Sequence, residues 1–100
     1  MRTLDEFTQL IESQDTCPPD MPAAMRSLWY DKKGQWDRAH DIVQNASDAD
    51  SAWVHAYLHR KEGDYSNARY WYRRSGQPAV TDSLPHEWEQ IARNLLLKQG

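Results

Sequence analysis

A single cysteine, Cys17, in 100 residues leaves an internal disulfide nothing to join. It points to a reducing compartment, with the cytoplasm as the expected location. No apolar run approaches the roughly 20 residues that cross a bilayer, so no membrane partner is expected. Met1 to Ser13 carries Asp5, Glu6 and Glu12 without an apolar stretch, which is unlike a secretory leader. A glycine-rich phosphate loop, a C-x-x-C pair and a G-x-S-x-G elbow are all missing, so an enzyme is not the expected class. Nor is charge of one sign in excess: the net charge of −3 gives no overall pull toward nucleic acid or anionic lipid. No segment alternates as a strand would. The length suits one domain over 1–100 with one core.

What the chain does have is aromatic mass, in five tryptophans and five tyrosines, and an internal echo. Gly34-Gln35-Trp36-Asp37-Arg38-Ala39 lines up with Gly63-Asp64-Tyr65-Ser66-Asn67-Ala68, 29 positions later. The same register pairs Ser27 with Ala56, Lys32 with Lys61, Val43 with Tyr72 and Ala46 with Ser75. Each copy reads as a glycine ending one helix, an aromatic opening the next and a small residue where two helices touch.

The apolar spacing predicts an all-α chain of six helices. The first covers 4–13, with Thr3 and Glu6 as a capping box and Leu4, Phe7 and Ile11 as its stripe. Cys17-Pro18-Pro19 forbids helix, and Asp20 caps a second that carries Met21, Met25, Leu28 and Trp29 as far as Gly34. A third runs from about 35 to 46 and completes a first hairpin over 21–46. A second hairpin over 51–75 pairs a broadly apolar helix, 51–62, with one carrying Tyr65, Ala68, Trp71, Tyr72 and Ser75. A last helix over 84–97 turns Trp88, Ile91, Ala92 and Leu95 inward. Leu96 and Leu97 rotate outward by about 100° each, which predicts self-association through that helix.

On the glycine-acidic-aromatic turn and the small residues Ser27, Ala39 and Ala46, then Ala56, Ala68 and Ser75, the chain resembles the tetratricopeptide repeat family and its Sel1-like relatives. Its period of 29 is shorter than the usual one of about 34, so the second helix of the first hairpin ends early. The stretch Trp53 to Tyr65 is also similar to a segment of small bacterial proteins with no assigned role. The family resemblance implies a non-catalytic adaptor that receives a protein or peptide on its first-helix faces. Carried over, the partner-binding positions are Ala24, Leu28 and Asp31, then Trp53, Tyr57, Arg60 and Lys61. It also implies that Arg26, Tyr30, His55 and His59 converge between the hairpins, either as a self-satisfied network or as a pocket for a polar ligand.

The residues alone offer a second function. His55, His59 and Glu62 share one helical face, and two imidazoles a turn apart with a carboxylate can ligate zinc. Ala56 stands where an H-E-x-x-H enzyme has its base, so a structural histidine pair is the competing reading. Arg60, Lys61, Arg69, Arg73 and Arg74 interleave with Tyr70. A solvated face, or pairing with Asp37, Asp41, Asp48 and Asp50, accounts for them better than a nucleic-acid contact. His40 and His86 have acidic neighbours, Asp41 and Glu87, that point elsewhere on a helix. Cys17 has no histidine near it in sequence to activate it.

Overall fold

Thr3 opens the molecule as the spacing suggests: its hydroxyl accepts from the Glu6 amide at 3.1 Å. The computed structural model describes residues 3–99. Those residues form six α-helices and no strand: α1 (Leu4–Ser13), α2 (Ala23–Lys32), α3 (Trp36–Gln44), α4 (Ala49–Glu62), α5 (Tyr65–Ser75) and α6 (Leu84–Gln99). No helix among the described residues is long and apolar enough to cross a membrane.

Several boundaries differ from the sequence expectation: α3 ends at Gln44 rather than near 46, and α6 runs to Gln99 rather than 97. Helix α2 starts at Ala23 with an extended Pro22 at its N-cap and no side-chain cap, so Asp20 does not serve. Helix α4 starts at Ala49, because the Asp48 carboxylate accepts from the Ser51 amide at 2.9 Å and draws the turn into the helix. Gly63 closes α4 at φ +87°, a left-handed conformation that side-chain-bearing residues resist.

Most small residues of the repeat lie where helices meet, but Ala46 falls beyond the end of α3 and is half-buried. Within α2–α3, Ser27 donates to the Ala39 carbonyl at 2.8 Å, and both residues are fully enclosed. Within α4–α5, Ala56 and Ala68 are equally enclosed. Side chains this small let backbones approach closely, and one methylene more would have no room. Helix α4 is buried continuously from Ser51 to His59, as a central element with α2, α3, α5 and α6 around it.

Helix α6 packs against α2, α4 and α1. Phe7 stacks on Trp88 at 5.8 Å, and the Trp88 indole donates to the Leu28 carbonyl at 3.1 Å. The Lys98 ammonium meets Asp50 at 2.8 Å, tying the end of α6 to the start of α4. Leu96 is buried and only Leu97 projects, because α1 covers one of the two leucines expected at an interface.

Candidate metal centre

The α3–α4 contact is made by rings. The Trp36 indole donates to the Leu58 carbonyl at 2.9 Å, which fixes the start of α3 against α4. One turn later His40 lies parallel to Trp36, with centroids 5.0 Å apart. From α4 come His55 and His59, also one turn apart and 4.8 Å between centroids. Trp71 of α5 closes the far side, stacked on His55 at 3.9 Å. Two indoles thus enclose three imidazoles.

The three histidines each aim a ring nitrogen at the others, and these nitrogens all lie within 4.8 Å of one another. His40 Nε2 and His55 Nε2 are 3.1 Å apart, so they share one proton or one metal ion. A tetrahedral zinc with Zn–N bonds of about 2.0–2.1 Å needs neighbouring nitrogens about 3.3–3.4 Å apart. That pair needs to open only slightly, and the third imidazole to close in. His55 and His59 are buried, while His40 is half-buried and leaves one edge of the cluster open to solvent.

Burial and neighbouring rings disfavour charge on two of the three imidazoles. Burial, then the neighbouring His40 and His59, hold the His55 pKa down at about 3. Burial and His59 also lower that of His40, against the opposing pull of Asp41, Glu62 and Asp37. Neutral imidazole is the form that binds a metal.

Glu62 stands behind the cluster. Its carboxylate accepts from His59 Nδ1–H at 2.6 Å, which fixes the ring and turns Nε2 away from Glu62. The sequence put Glu62 among the ligands with His55 and His59. In the structure Glu62 bonds His59, and His40 is the third imidazole of the cluster. His55 Nδ1 is buried with no such partner.

His40 escaped the sequence reading because it flanks the Ala39–Val43 stripe. Four residues after Trp36, it shared that residue's face, which was the available signal. The expected quartet does not assemble. Arg26 donates to the Met21 carbonyl and Tyr30 accepts from the Cys17 amide, whereas His55 and His59 face α3 and α5. Arg38 lies over the Tyr30 ring at 4.0 Å.

The first-helix faces expected to receive a partner are covered by α6. Leu28, Asp31, Trp53 and Tyr57 are buried, and Arg60 reaches across to Glu87 at 2.8 Å. Glu87 is fully enclosed and also accepts from the Tyr72 hydroxyl at 2.7 Å and the Trp53 indole at 3.2 Å. Asp31 takes the Tyr57 hydroxyl at 2.8 Å and the Lys61 ammonium at 2.9 Å. What remains of the face is a cleft of about 300 Å³ between Asp31, Lys61 and the start of α6.

The basic residues of α5 pair differently from the expectation. Asp50 meets Lys98 and Asp48 caps α4, while Arg74 lies over the Tyr70 and Trp71 rings.

Cys17 is buried, and burial pushes its thiol up to about 11. Labelling by a thiol reagent in the native state is expected to be at least about 100-fold slower than for an exposed cysteine. Labelling at the same rate before and after denaturation would contradict this. Comparison of the chain with protein-family models, curated proteins and solved structures found no match. The tetratricopeptide-like reading therefore stands on the repeat's own residues.

Proposed function

We propose that the protein binds a divalent transition metal, zinc in the first instance, through His40, His55 and His59. The observation that supports this reading is the convergence of three imidazoles from two helices, one of them backed by a carboxylate. Three imidazoles without thiolate or thioether suit zinc, copper(II) or nickel rather than magnesium or calcium. Because His55 Nδ1–H has no acceptor, binding is weaker by about 1–3 kcal/mol than in a site whose imidazoles are all backed.

Thermal unfolding in the presence of zinc tests the proposal. Zinc at about 100 times its dissociation constant adds about 2.7 kcal/mol to the native state. For a domain of this size that raises the midpoint by about 10–20 °C. His40→Ala, half-buried and therefore the mildest ligand deletion, is expected to abolish the rise. Glu62→Gln is expected to weaken zinc binding about 10–100-fold without removing it. An equal rise in wild type and His40→Ala would sink the proposal, and magnesium is expected to do nothing.

The adaptor reading implied by the repeat now requires a different surface. Helix α6 occupies the face on which it placed Leu28, Trp53 and Tyr57. No specific contact in the structure favours it over the metal.

A further inference from the structure

We infer that the metal held by His40, His55 and His59 keeps one coordination position open to solvent, and that this position takes a small anion. The inference rests on the metal reading above and adds what the site would do with its ion.

The argument is a count of donors. Three nitrogens lie within mutual reach, and zinc prefers four ligands. The indoles of Trp36 and Trp71 stack on ring faces and offer no lone pair. Glu62 is held at His59 Nδ1, and Asp64 groups with that same pair. Two further carboxylates, Asp37 and Asp41 on α3, are exposed and act on His40 through their charge. None of these carboxylates joins the three converging nitrogens.

Access follows from burial. His55 and His59 are sealed beneath α3 and α5, whereas His40 is half-exposed, so the vacant position is reached along the His40 edge. Ring centroids 4.7–5.1 Å apart are in direct contact, so the rings part slightly for an ion, and a further ligand fits only on the solvent side of His40 and only with a few atoms. Charge selects the class. Three neutral imidazoles leave a divalent ion its full charge, and only Glu62 directly backs a ligand to offset it. Flanking indoles keep the surroundings poorly screened, which strengthens the attraction for an anion. Structural zinc sites fill all four positions from the protein, so an open site marks an ion meant to meet something from solution.

Cobalt(II) substitution with sodium azide as the probe tests this on the intact 100-residue chain. Cobalt replaces zinc with similar ligands, and its visible spectrum reports coordination. The expected result is a cobalt spectrum that changes saturably with azide, in wild type and equally in Asp37→Asn and Asp41→Asn. His40→Ala is expected to lose the cobalt spectrum while keeping its helical circular dichroism. A cobalt spectrum indifferent to azide in all three azide-tested proteins would mean a closed site, overturning the inference and leaving the metal reading in place. An azide response confined to an aspartate variant would make that carboxylate the fourth ligand, which also overturns it. Absence of any cobalt spectrum would remove both readings.

Discussion

Arg60→Ala is expected to destabilise the protein by about 3–5 kcal/mol, because it strands a carboxylate that has no route to water. Glu87 is fully enclosed, and its side chain lies between α4, α5 and α6. Arg60 supplies the positive charge at 2.8 Å and also donates to the Asp82 carbonyl, holding the loop before α6. Without the guanidinium, the Tyr72 hydroxyl and Trp53 indole remain as donors but bring no charge. The midpoint of thermal unfolding is expected to fall by at least about 12 °C, at 4–8 °C per kcal/mol for a domain of this length.

Glu87→Gln separates charge from shape. It keeps the volume but leaves Arg60 partly desolvated without a counter-ion, at about 1–3 kcal/mol. Urea unfolding of both single variants and the double variant gives the coupling energy. A loss below about 1 kcal/mol for Arg60→Ala would show that the pair behaves like an exposed one.

Acid is expected to unfold the metal-free protein earlier than its composition suggests. Burial holds the His55 pKa at about 3 in the native state, against an ordinary 6.5 once unfolded. The unfolded chain therefore takes up a proton first as pH falls. His55 contributes its full stability above about pH 6.5, and loses it progressively toward pH 3. By pH 5 the loss from His55 alone is about 2 kcal/mol, at 1.36 kcal/mol per unit. The charges and titrating groups around it are His40 on α3 and His59 with Glu62 on α4, while α5 presents the uncharged Trp71 with the Arg74 guanidinium over that ring. His40, also lowered, moves stability in the same direction. Urea midpoints measured with a chelator from pH 7 to pH 5 check this. The slope is expected to flatten in His55→Phe, and identical slopes in the two proteins would contradict the assignment.

The helices were legible because their signals are local: a hydroxyl or carboxylate at the start, a glycine at the end and apolar spacing between. Where two local signals compete, the sequence could not choose. Asp48 and Asp50 both suit a cap, and the bond from the Ser51 amide to Asp48 decides it only in three dimensions. The small residues Ser27, Ala39, Ala56 and Ala68 could be picked out because a repeat displays them twice.

The site was half legible. His55 and His59 share a helix, so their spacing brought them together on paper. His40 reaches them from another helix, and its place at the margin of the Trp36–Val43 stripe does not say whether it turns in or out. Glu87 escaped for the same reason, standing at the margin of the Leu84–Trp88–Ile91 stripe of α6. A charged residue at such a margin is settled by its neighbours, here Arg60 and Tyr72. The covering of Leu28 and Trp53 was out of reach for another cause. Helix α6 belongs to neither copy of the repeat, so the repeat says nothing about where it docks.

The three imidazoles come from positions 40 to 59, on neighbouring helices joined by a short turn. Closing so small a loop sacrifices little chain entropy, so the cluster is placed to form early in folding. On a growing chain it is complete in sequence before Glu87 has been synthesised. The α3–α4 contact can therefore close before α6 docks against α2 and α4, and seating that helix becomes the late event.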